Sequence, residues 1–234
     1  MKTLGSNTDK TKNITNPIVT DYLNSFYSPL NDKLMELRAI AEKEYIPIIL
    51  KESETFLKYV LLKEKPKNIL EIGTAIGYSS IFFCTLLNDT KVVTIDRMED
   101  IASIANDNIS SFGFEDRIKV LVGDAVSVLK GEIKGLSDLN YKFDILFIDA
   151  GKSKYIEFLE NSIPYLNKDA VIICDNILLG ARVASDEYDS KNKHRTNIRH
   201  LREFNEYIND KERFNTVILP IGDGMSITTL KWRK

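Results

Sequence analysis

The feature that most constrains the fold is an alternation of short apolar runs with amphipathic stretches over residues 68–174. Each run is continuous and rich in Val, Ile and Leu, as in strands buried on both faces of a parallel sheet. The five runs are Asn68–Ile72, Lys91–Ile95, Ile118–Val122, Phe143–Ile148 and Ala170–Cys174. Helical patterns occupy the segments between them, namely Tyr78–Leu87, Glu99–Phe112, Asp124–Lys130 and Lys152–Leu166. The alternation predicts a doubly wound α/β sheet.

Two flanking regions complete the predicted architecture. Residues 17–62 have helical periodicity, and Pro47 is expected to separate two helices there. Beyond the fifth run, a polar helix at about 192–209 precedes two further strands at 215–219 and 225–230. We therefore predict a seven-stranded, mostly parallel sheet with an antiparallel C-terminal hairpin. One domain over residues 17–234 would contain it, and residues 1–16 would form a flexible tail.

Composition excludes several classes of protein. The 234 residues carry a formal net charge of -2, which gives no global field for nucleic acid or membrane. Cys84 and Cys174 lie far apart, so two reduced, buried thiols are expected rather than a disulfide framework. No apolar run approaches the roughly 20 residues of a membrane span, and Met1–Asn13 does not resemble a signal peptide. We expect a cytoplasmic protein.

An acidic residue lies at or beside the end of each of the first five predicted strands. In open α/β sheets, ligands bind beyond the carboxyl ends of the strands. The acids are Glu71, Asp96, Asp124, Asp149 and Asp175. Each one alone has a simpler explanation as a solvated loop residue, but five in register indicate a binding site.

The loop after the first strand, Gly73–Gly77, allows a ligand to approach the backbone closely. Ala75 replaces the middle glycine of a dinucleotide fingerprint, and a tight turn without a ligand is the simpler explanation. Glu71 makes the site acidic, which repels pyrophosphate and attracts a cationic amino-acid group. Asp96 stands where an acid typically accepts hydrogen bonds from ribose hydroxyls. S-adenosylmethionine has the ribose, the cationic amino acid and no phosphate.

Several motifs together resemble the family of cation-dependent O-methyltransferases, which includes catechol and caffeoyl-CoA enzymes. They are Leu70-Glu71-Ile72-Gly73 with Gly77-Tyr78-Ser79, Asp96, Gly123-Asp124-Ala125, Asp149-Ala150-Gly151-Lys152 and Asp175-Asn176. The resemblance extends over about residues 17–230. It implies a class I methyltransferase (Rossmann-like) fold, a bound S-adenosylmethionine and one Mg²⁺-type ion.

The resemblance also implies residue roles. Those at the cofactor are Glu71, Gly73 and Ser79 for the amino-acid end, Asp96 for the ribose, and Asp124 with Ala125 for the adenine. Those at the metal are Asp149, which also borders the cofactor, Asp175 and Asn176, with Lys152 as the general base. The family often has an acid where Gly151 stands, which puts that loop's supporting contacts in doubt.

Elementary chemistry supports the metal assignment. Two carboxylates and an amide are hard oxygen donors that suit Mg²⁺ or Mn²⁺. Neighbouring parallel strands lie about 4.8 Å apart, so Asp149 and Asp175 can reach one ion. Lys152 can accept a proton if its pKa is depressed. A strand-end turn for Asp175 and Asn176, and a solvated helix-start lysine, are the simpler explanations.

The methyl acceptor is less constrained. A basic segment in the chain contains Lys191, Lys193, His194, Arg195, Arg199, His200 and Arg202. It is either a solvated helix face or, together with Arg182, a phosphate-contacting surface for RNA. Residues 44–48, 73–79, 176–183 and 222–227 resemble a bacterial branch that methylates 5-hydroxyuridine at the tRNA wobble position.

Three alternatives remain open at this point. Within the enzyme class, the acceptor is tRNA or a small catechol or hydroxycinnamoyl-CoA-like molecule. A more remote alternative is an NAD-binding oxidoreductase or a cofactor-binding module. The resemblance also implies a homodimer, which the apolar positions of the N-terminal helices favour weakly.

Overall fold

The computed structural model describes residues 14–189 and 193–231. Its helices are α1 (Pro17–Asn24), α2 (Asp32–Lys43), α3 (Lys51–Glu64), α4 (Tyr78–Leu86), α5 (Glu99–Ser111), α6 (Ala125–Leu129), α7 (Tyr155–Ser162) and α8 (Arg195–Ile208). Its strands are β1 (Asn68–Ile72), β2 (Lys91–Asp96), β3 (Ile118–Val122), β4 (Phe143–Ile148), β5 (Leu166–Cys174), β6 (Phe214–Leu219) and β7 (Met225–Leu230). Short 3₁₀ turns occupy Lys152–Lys154, Ile163–Tyr165 and Asp186–Asp189.

The seven strands form one sheet in the order β3-β2-β1-β4-β5-β7-β6. Strands β1 to β5 pair in parallel, whereas β7 is antiparallel to both β5 and β6. The predicted fold class is therefore confirmed, including the C-terminal hairpin. The direction of winding reverses between β1 and β4, so the carboxyl ends of these strands border the crevice where such folds bind ligands.

Some element boundaries differ from the predicted ones. The N-terminal region forms three helices rather than two, because Asn31 begins α2 by accepting a hydrogen bond from the Leu34 amide at 2.8 Å. Strand β5 begins at Leu166 rather than Ala170, since Leu166 already pairs with Phe143. The residues after Leu166 are polar and partly exposed, so the hydrophobic pattern does not predict this part of the strand.

The predicted division into a tail over residues 1–16 and one domain over 17–234 stays a prediction, since residues 1–13 lie outside the described part of the chain. Lys191 in the basic segment lies outside it as well. Within residues 14–189 and 193–231, no helix combines the length and apolarity needed to cross a bilayer.

Buried side chains cover both faces of the sheet. On β1, Ile69 packs in a cluster with α2 to α5, whereas Leu70 and Ile72 pack in a second cluster with α6 to α8. Burial on both faces explains why the central strands are continuously apolar rather than alternating. The buried polar residue of β1 is Glu71, which is fully enclosed near the end of the strand that faces the glycine loop.

Gly73 allows the ends of β1 and β4 to meet. Its φ is +104°, and a Cβ at this position would overlap the carbonyl oxygen of Asp149 and lie 2.8 Å from the carbonyl carbon. The Asp149 amide donates to the Ile72 carbonyl at 3.0 Å, and the Gly73 amide donates to the Ile95 carbonyl at 3.0 Å. Any side chain at residue 73 would therefore push the glycine loop away from Asp149.

We expect Gly73→Ala to lower the free energy of unfolding by at least about 3 kcal/mol, because backbone overlap adds to the strain of positive φ. Gly113→Ala is the matched control, since Gly113 has a φ of +71° with no atom within 4 Å of the added Cβ. It should lose only about 1 kcal/mol from backbone strain. Urea denaturation measures both, and equal losses would contradict the proposed overlap.

Candidate active site

A cavity of about 710 Å³ opens at the carboxyl ends of β1 to β5, a size that suits a cofactor or substrate. Its walls come from the loops after these strands and from Pro47–Leu50, between α2 and α3. The predicted site residues that line it are Gly73, Ser79, Asp96, Asp124, Ala125, Asp149, Lys152 and Asn176. Glu71 and Asp175 are fully buried and do not line the cavity.

Asp96 shapes the glycine loop. Its Oδ2 accepts hydrogen bonds from the amides of Thr74 at 3.2 Å and Ala75 at 3.1 Å, and its Oδ1 accepts one from Met98 at 3.1 Å. Ala75 has a φ of +44°, so the loop turns through a left-handed residue at the cavity wall. Asp96 remains half-buried at the cavity, where its ribose-binding role stays a prediction.

Glu71 lies beneath the start of α4. Its carboxylate accepts hydrogen bonds from the hydroxyls of Ser79 and Ser80. Burial raises the pKa of Glu71 to about 7, and the two serine hydrogen bonds only partly offset that effect. Because Ser79 lines the cavity and Glu71 does not, Glu71 can act on a ligand only through Ser79 or through its charge.

Asp124 begins α6 at the cavity wall. Its Oδ1 accepts from the amides of Val126 at 3.1 Å and Ser127 at 3.3 Å, while its Oδ2 contacts Lys154 Nζ at 2.9 Å. The hydrogen bond from Lys154 is the main reason that the pKa of Asp124 lies below its usual value. Sequence pattern did not single out Lys154, although it follows Lys152 by two residues in the same loop.

The oxygen donors predicted for a metal gather where β4 and β5 end. Asp175 Oδ1 accepts from the Asn176 amide at 2.7 Å, whereas Asp175 Oδ2 is buried without a hydrogen-bond partner. Burial, followed by the negative charge of Asp149, raises the pKa of Asp175 to about 7. An unpartnered buried carboxylate oxygen is costly, and a bound cation would satisfy it. The residues present therefore fit a hard divalent ion.

Lys152 joins this set. Its Nζ lies 3.2 Å from Asp149 Oδ1 and 3.0 Å from Asn176 Oδ1, so the structure brings the predicted lysine and two of the predicted metal ligands together. Among the described residues, no group of three or more His, Cys, Asp or Glu side chains is placed to hold a metal. With only two carboxylates in the set, the amide oxygen of Asn176 is needed as a third donor.

The charge state of Lys152 differs from the condition set by the sequence analysis. Burial acts to lower its pKa, but Tyr155 and Asp149 outweigh burial and hold the pKa above its usual value. Lys152 therefore carries its proton in this arrangement, whereas a general base must be neutral. A cation beside Asp149 would weaken the interaction that keeps this proton on the amine.

Tyr155 is a site residue that sequence pattern missed. Lys152 Nζ donates to its hydroxyl at 2.8 Å, and that hydroxyl donates to the Asp175 carbonyl at 3.0 Å. Tyr155 is fully buried, and on an amphipathic helix such an aromatic residue is indistinguishable from ordinary core. The one available signal was its spacing of three residues from Lys152.

The basic segment divides between two surfaces. His194, together with Arg182 and Arg97, lines the cavity. The arginines of α8 instead line a neighbouring depression that also contains acids, and Arg202 pairs with Asp186 at 2.7 Å. The predicted basic face is therefore partly neutralised by acidic side chains.

Comparison with known proteins gives the chain's family. A family model described as O-methyltransferase matches residues 24–231. The O-methyltransferase imqG of Aspergillus flavus is 30% identical over 65% of this chain, and the alignment spans 61% of that fungal protein's length. A caffeoyl-CoA O-methyltransferase of Stellaria longipes is 28% identical, covering 73% of this chain and 70% of the plant protein.

A solved structure supports the same assignment. The O-methyltransferase from Bacillus cereus, in complex with SAH, is 27% identical to this chain and has a TM-score of 0.76. The match covers 92% of this chain and 97% of the Bacillus protein. These similarities favour an O-methyltransferase over the NAD-binding oxidoreductase that the sequence left open. The chain belongs to the O-methyltransferase family.

Proposed function

We propose that this protein transfers a methyl group from S-adenosylmethionine to a hydroxyl oxygen with the help of a divalent cation, Mg²⁺ or Mn²⁺. The observation that carries this proposal is one cavity that combines two features. The glycine loop with Asp96 and Asp124 forms one part, and Asp149 and Asn176 around Lys152 form the other. The relative from Bacillus cereus, which holds SAH, supports the identity of the cofactor.

The chain's own residues suit a cationic cofactor. Gly73 and Ser79 would contact its amino-acid end, Asp96 its ribose hydroxyls, and Asp124 with Ala125 its adenine. The carboxylates of Asp96, Asp124 and Asp149 line this part of the cavity, and negative charge there would attract a sulfonium and an ammonium group. When bound, the cofactor supplies an electrophilic methyl group.

Asp149, Asp175 and Asn176 would hold the cation, and the unpartnered Oδ2 of Asp175 supports this assignment. When bound, the cation would lower the pKa of the acceptor hydroxyl. Lys152 would remove the hydroxyl proton at Nζ once the surrounding negative charge is balanced, and Tyr155 orients that amine. The cavity walls would align the acceptor oxygen with the methyl group, which contributes much of the rate enhancement.

We expect a chelator to abolish methyl transfer and added Mg²⁺ or Mn²⁺ to restore it. Asp175→Asn should lower kcat/KM by at least about 100-fold, because it removes a charged metal ligand. Its thermal stability should not fall, since the variant removes a buried charge whose pKa is already raised to about 7. Labelled S-adenosylmethionine measures transfer.

Asp169→Asn is the matched control for this variant, because Asp169 is exposed on the same strand. It should keep full activity. Chelator-resistant transfer, or equal activity of the two variants, would remove the cation from the proposal.

We also propose that the acceptor is 5-hydroxyuridine at the tRNA wobble position. Its 5-hydroxyl and 4-oxo oxygens are adjacent, and the anticodon loop is single-stranded, so the base is accessible. Arg182 and His194 at the cavity, with exposed Lys193 and Arg195 beside them, could contact phosphates. The competing candidate is a small catechol or a hydroxycinnamoyl-CoA, favoured by the name of the Stellaria relative.

We expect purified protein with labelled cofactor and Mg²⁺ to methylate tRNA that carries 5-hydroxyuridine, and to do so less as salt rises, because phosphate contacts release counterions. Arg195→Gln should weaken transfer to tRNA. Lys130→Gln is a control cation, exposed at the end of α6 and outside the cavity lining. Transfer to catechol or caffeoyl-CoA but not to tRNA would establish the competing acceptor.

A homodimer is part of the proposal, together with a cytoplasmic location. Helix α1 has no buried residue, and its apolar side chains face outward: Ile18 is 77% exposed. Phe26, just after the helix, is 68% exposed. Further large apolar side chains are exposed on the neighbouring helices, including Ile40 of α2 and Tyr59 of α3. Exposed apolar surface of this kind is typical of an interface between subunits.

We expect light scattering at micromolar concentration to give the mass of a dimer. Phe26→Asp should yield monomers, because it introduces a charge into the apolar surface of α1 to α3. Ile104→Asp is the control, since Ile104 is 45% exposed but belongs to α5 rather than to α1 to α3. A monomeric wild-type protein would contradict the dimer.

A further inference from the structure

A buried ionic cluster lies behind the cavity, between helices α2, α3 and α4. Arg38 is 4% exposed and Glu54 is 2% exposed. The Arg38 guanidinium donates from Nη2 to the Glu54 carboxylate and to the Ile49 carbonyl, the latter at 3.0 Å. Its Nε lies 3.1 Å from the hydroxyls of both Tyr27 and Tyr78. One side chain thus contacts four other chain segments.

Two of these segments are walls of the cavity. Tyr78 is the first residue of α4, directly after the glycine loop, and it lines the cavity. Ile49 belongs to the Pro47–Leu50 segment, whose four residues line the cavity from the side of α2 and α3. Arg38 therefore connects the glycine-loop wall to the Pro47–Leu50 wall, although its own side chain is not part of the lining.

The hydrogen-bond geometry gives each partner a defined position. The Tyr78 hydroxyl donates to Glu54 at 2.6 Å, and the Tyr27 hydroxyl donates to Glu54 at 2.8 Å. Burial, followed by the charge of Glu54, keeps the pKa of Tyr78 well above its usual value, so this hydroxyl remains a donor. The guanidinium reaches the buried Glu54 carboxylate, one carbonyl and two hydroxyls, and its Nη1 also lies 3.4 Å from the exposed carboxylate of Glu42.

Stability alone does not explain this cluster. Replacing a buried ion pair with apolar side chains of similar volume is often neutral or stabilising, whereas removing one partner is strongly destabilising. Apolar side chains could fill the space between the three helices. They could not bond the Ile49 carbonyl and the Tyr78 hydroxyl in a fixed direction.

We propose that Arg38 is a positioning residue that fixes the Pro47–Leu50 wall relative to the glycine loop and so sets the shape of the cavity for methyl transfer. The kinetic part of this inference rests on the proposed function. The ordering of the wall does not, because it follows from the contacts of Arg38 alone.

The test uses a variant that separates positioning from stability. Arg38→Met leaves the Glu54 charge uncompensated and should lower Tm, whereas Arg38→Met with Glu54→Met should restore much of the loss. In this double variant we expect amide hydrogen exchange in residues 48–50 to be at least about tenfold faster. We expect kcat/KM to fall about tenfold, because the wall no longer holds the reacting groups in register. Wild-type exchange and wild-type kcat/KM in the folded double variant would overturn the proposal.

Two further variants keep the test decisive if the double variant does not fold. Arg38→Lys keeps the charge opposite Glu54 but loses the fork, so it should show the same faster exchange and lower kcat/KM with a smaller change in Tm. Glu42→Gln is the control, because Glu42 is an exposed partner of Arg38 at 3.4 Å and should leave exchange and kinetics unchanged. Wild-type exchange in a folded Arg38→Lys would also overturn the proposal.

The experiment distinguishes this inference from the proposed function. If the wild-type protein transfers no methyl group to any acceptor tried, the proposed function fails. Hydrogen exchange in the variants still decides whether Arg38 orders the wall, because it is measured without cofactor or acceptor.

Discussion

The close approach of the ends of β1 and β4 at Gly73 is the constraint on which the candidate site depends. Because residue 73 has no side chain, the glycine loop packs directly against the backbone of Asp149. The loop that would hold the cofactor is therefore in contact with the residue that would hold the cation. A transfer reaction needs its donor and acceptor centres adjacent, and this backbone contact would bring the two proposed binding sites together.

Around this contact the protein buries two carboxyl groups. Glu71 and Asp175 are both fully buried, and burial raises the pKa of each to about 7. Such groups oppose folding unless they are protonated, bonded or paired with a cation. Ser79 and Ser80 partly satisfy Glu71, whereas one oxygen of Asp175 has no partner. Because of this difference, a bound cation would stabilise the structure more at Asp175 than at Glu71.

Two cations, the partly buried Lys152 and the buried Arg38, organise the two sides of the cavity. Lys152 gathers Asp149, Asn176 and Tyr155 on the side of β4 and β5, while Arg38 gathers Glu54, Ile49 and Tyr78 on the side of the N-terminal helices. Lysine presents a compact charge that can gain or lose a proton, whereas arginine stays charged and holds its partners in a fork. Lys152 is therefore suited to proton transfer, and Arg38 is suited to positioning.

Sequence pattern was enough to predict the sheet and the acids at its carboxyl edge. Continuous apolar runs have one stable place, between two layers of helices, and the acids that follow them must then lie at the carboxyl edge. Asp96, Asp124, Asp149 and Asn176 were predictable for that reason, and they do line one cavity. The polar start of β5 at Leu166 was not predictable, because its exposed residues carry no buried-strand pattern.

Which side chains meet around the cavity became known from the packed structure alone. Tyr155 and Arg38 lie on amphipathic helices, where sequence periodicity reports burial but not the partner on the other side of the interface. Likewise the proton on Lys152 depends on Tyr155 and Asp149 together, which outweigh burial. Local pattern encodes which face of an element is buried. Contacts between residues distant in sequence, and the charge states that they impose, exist only once the elements have packed.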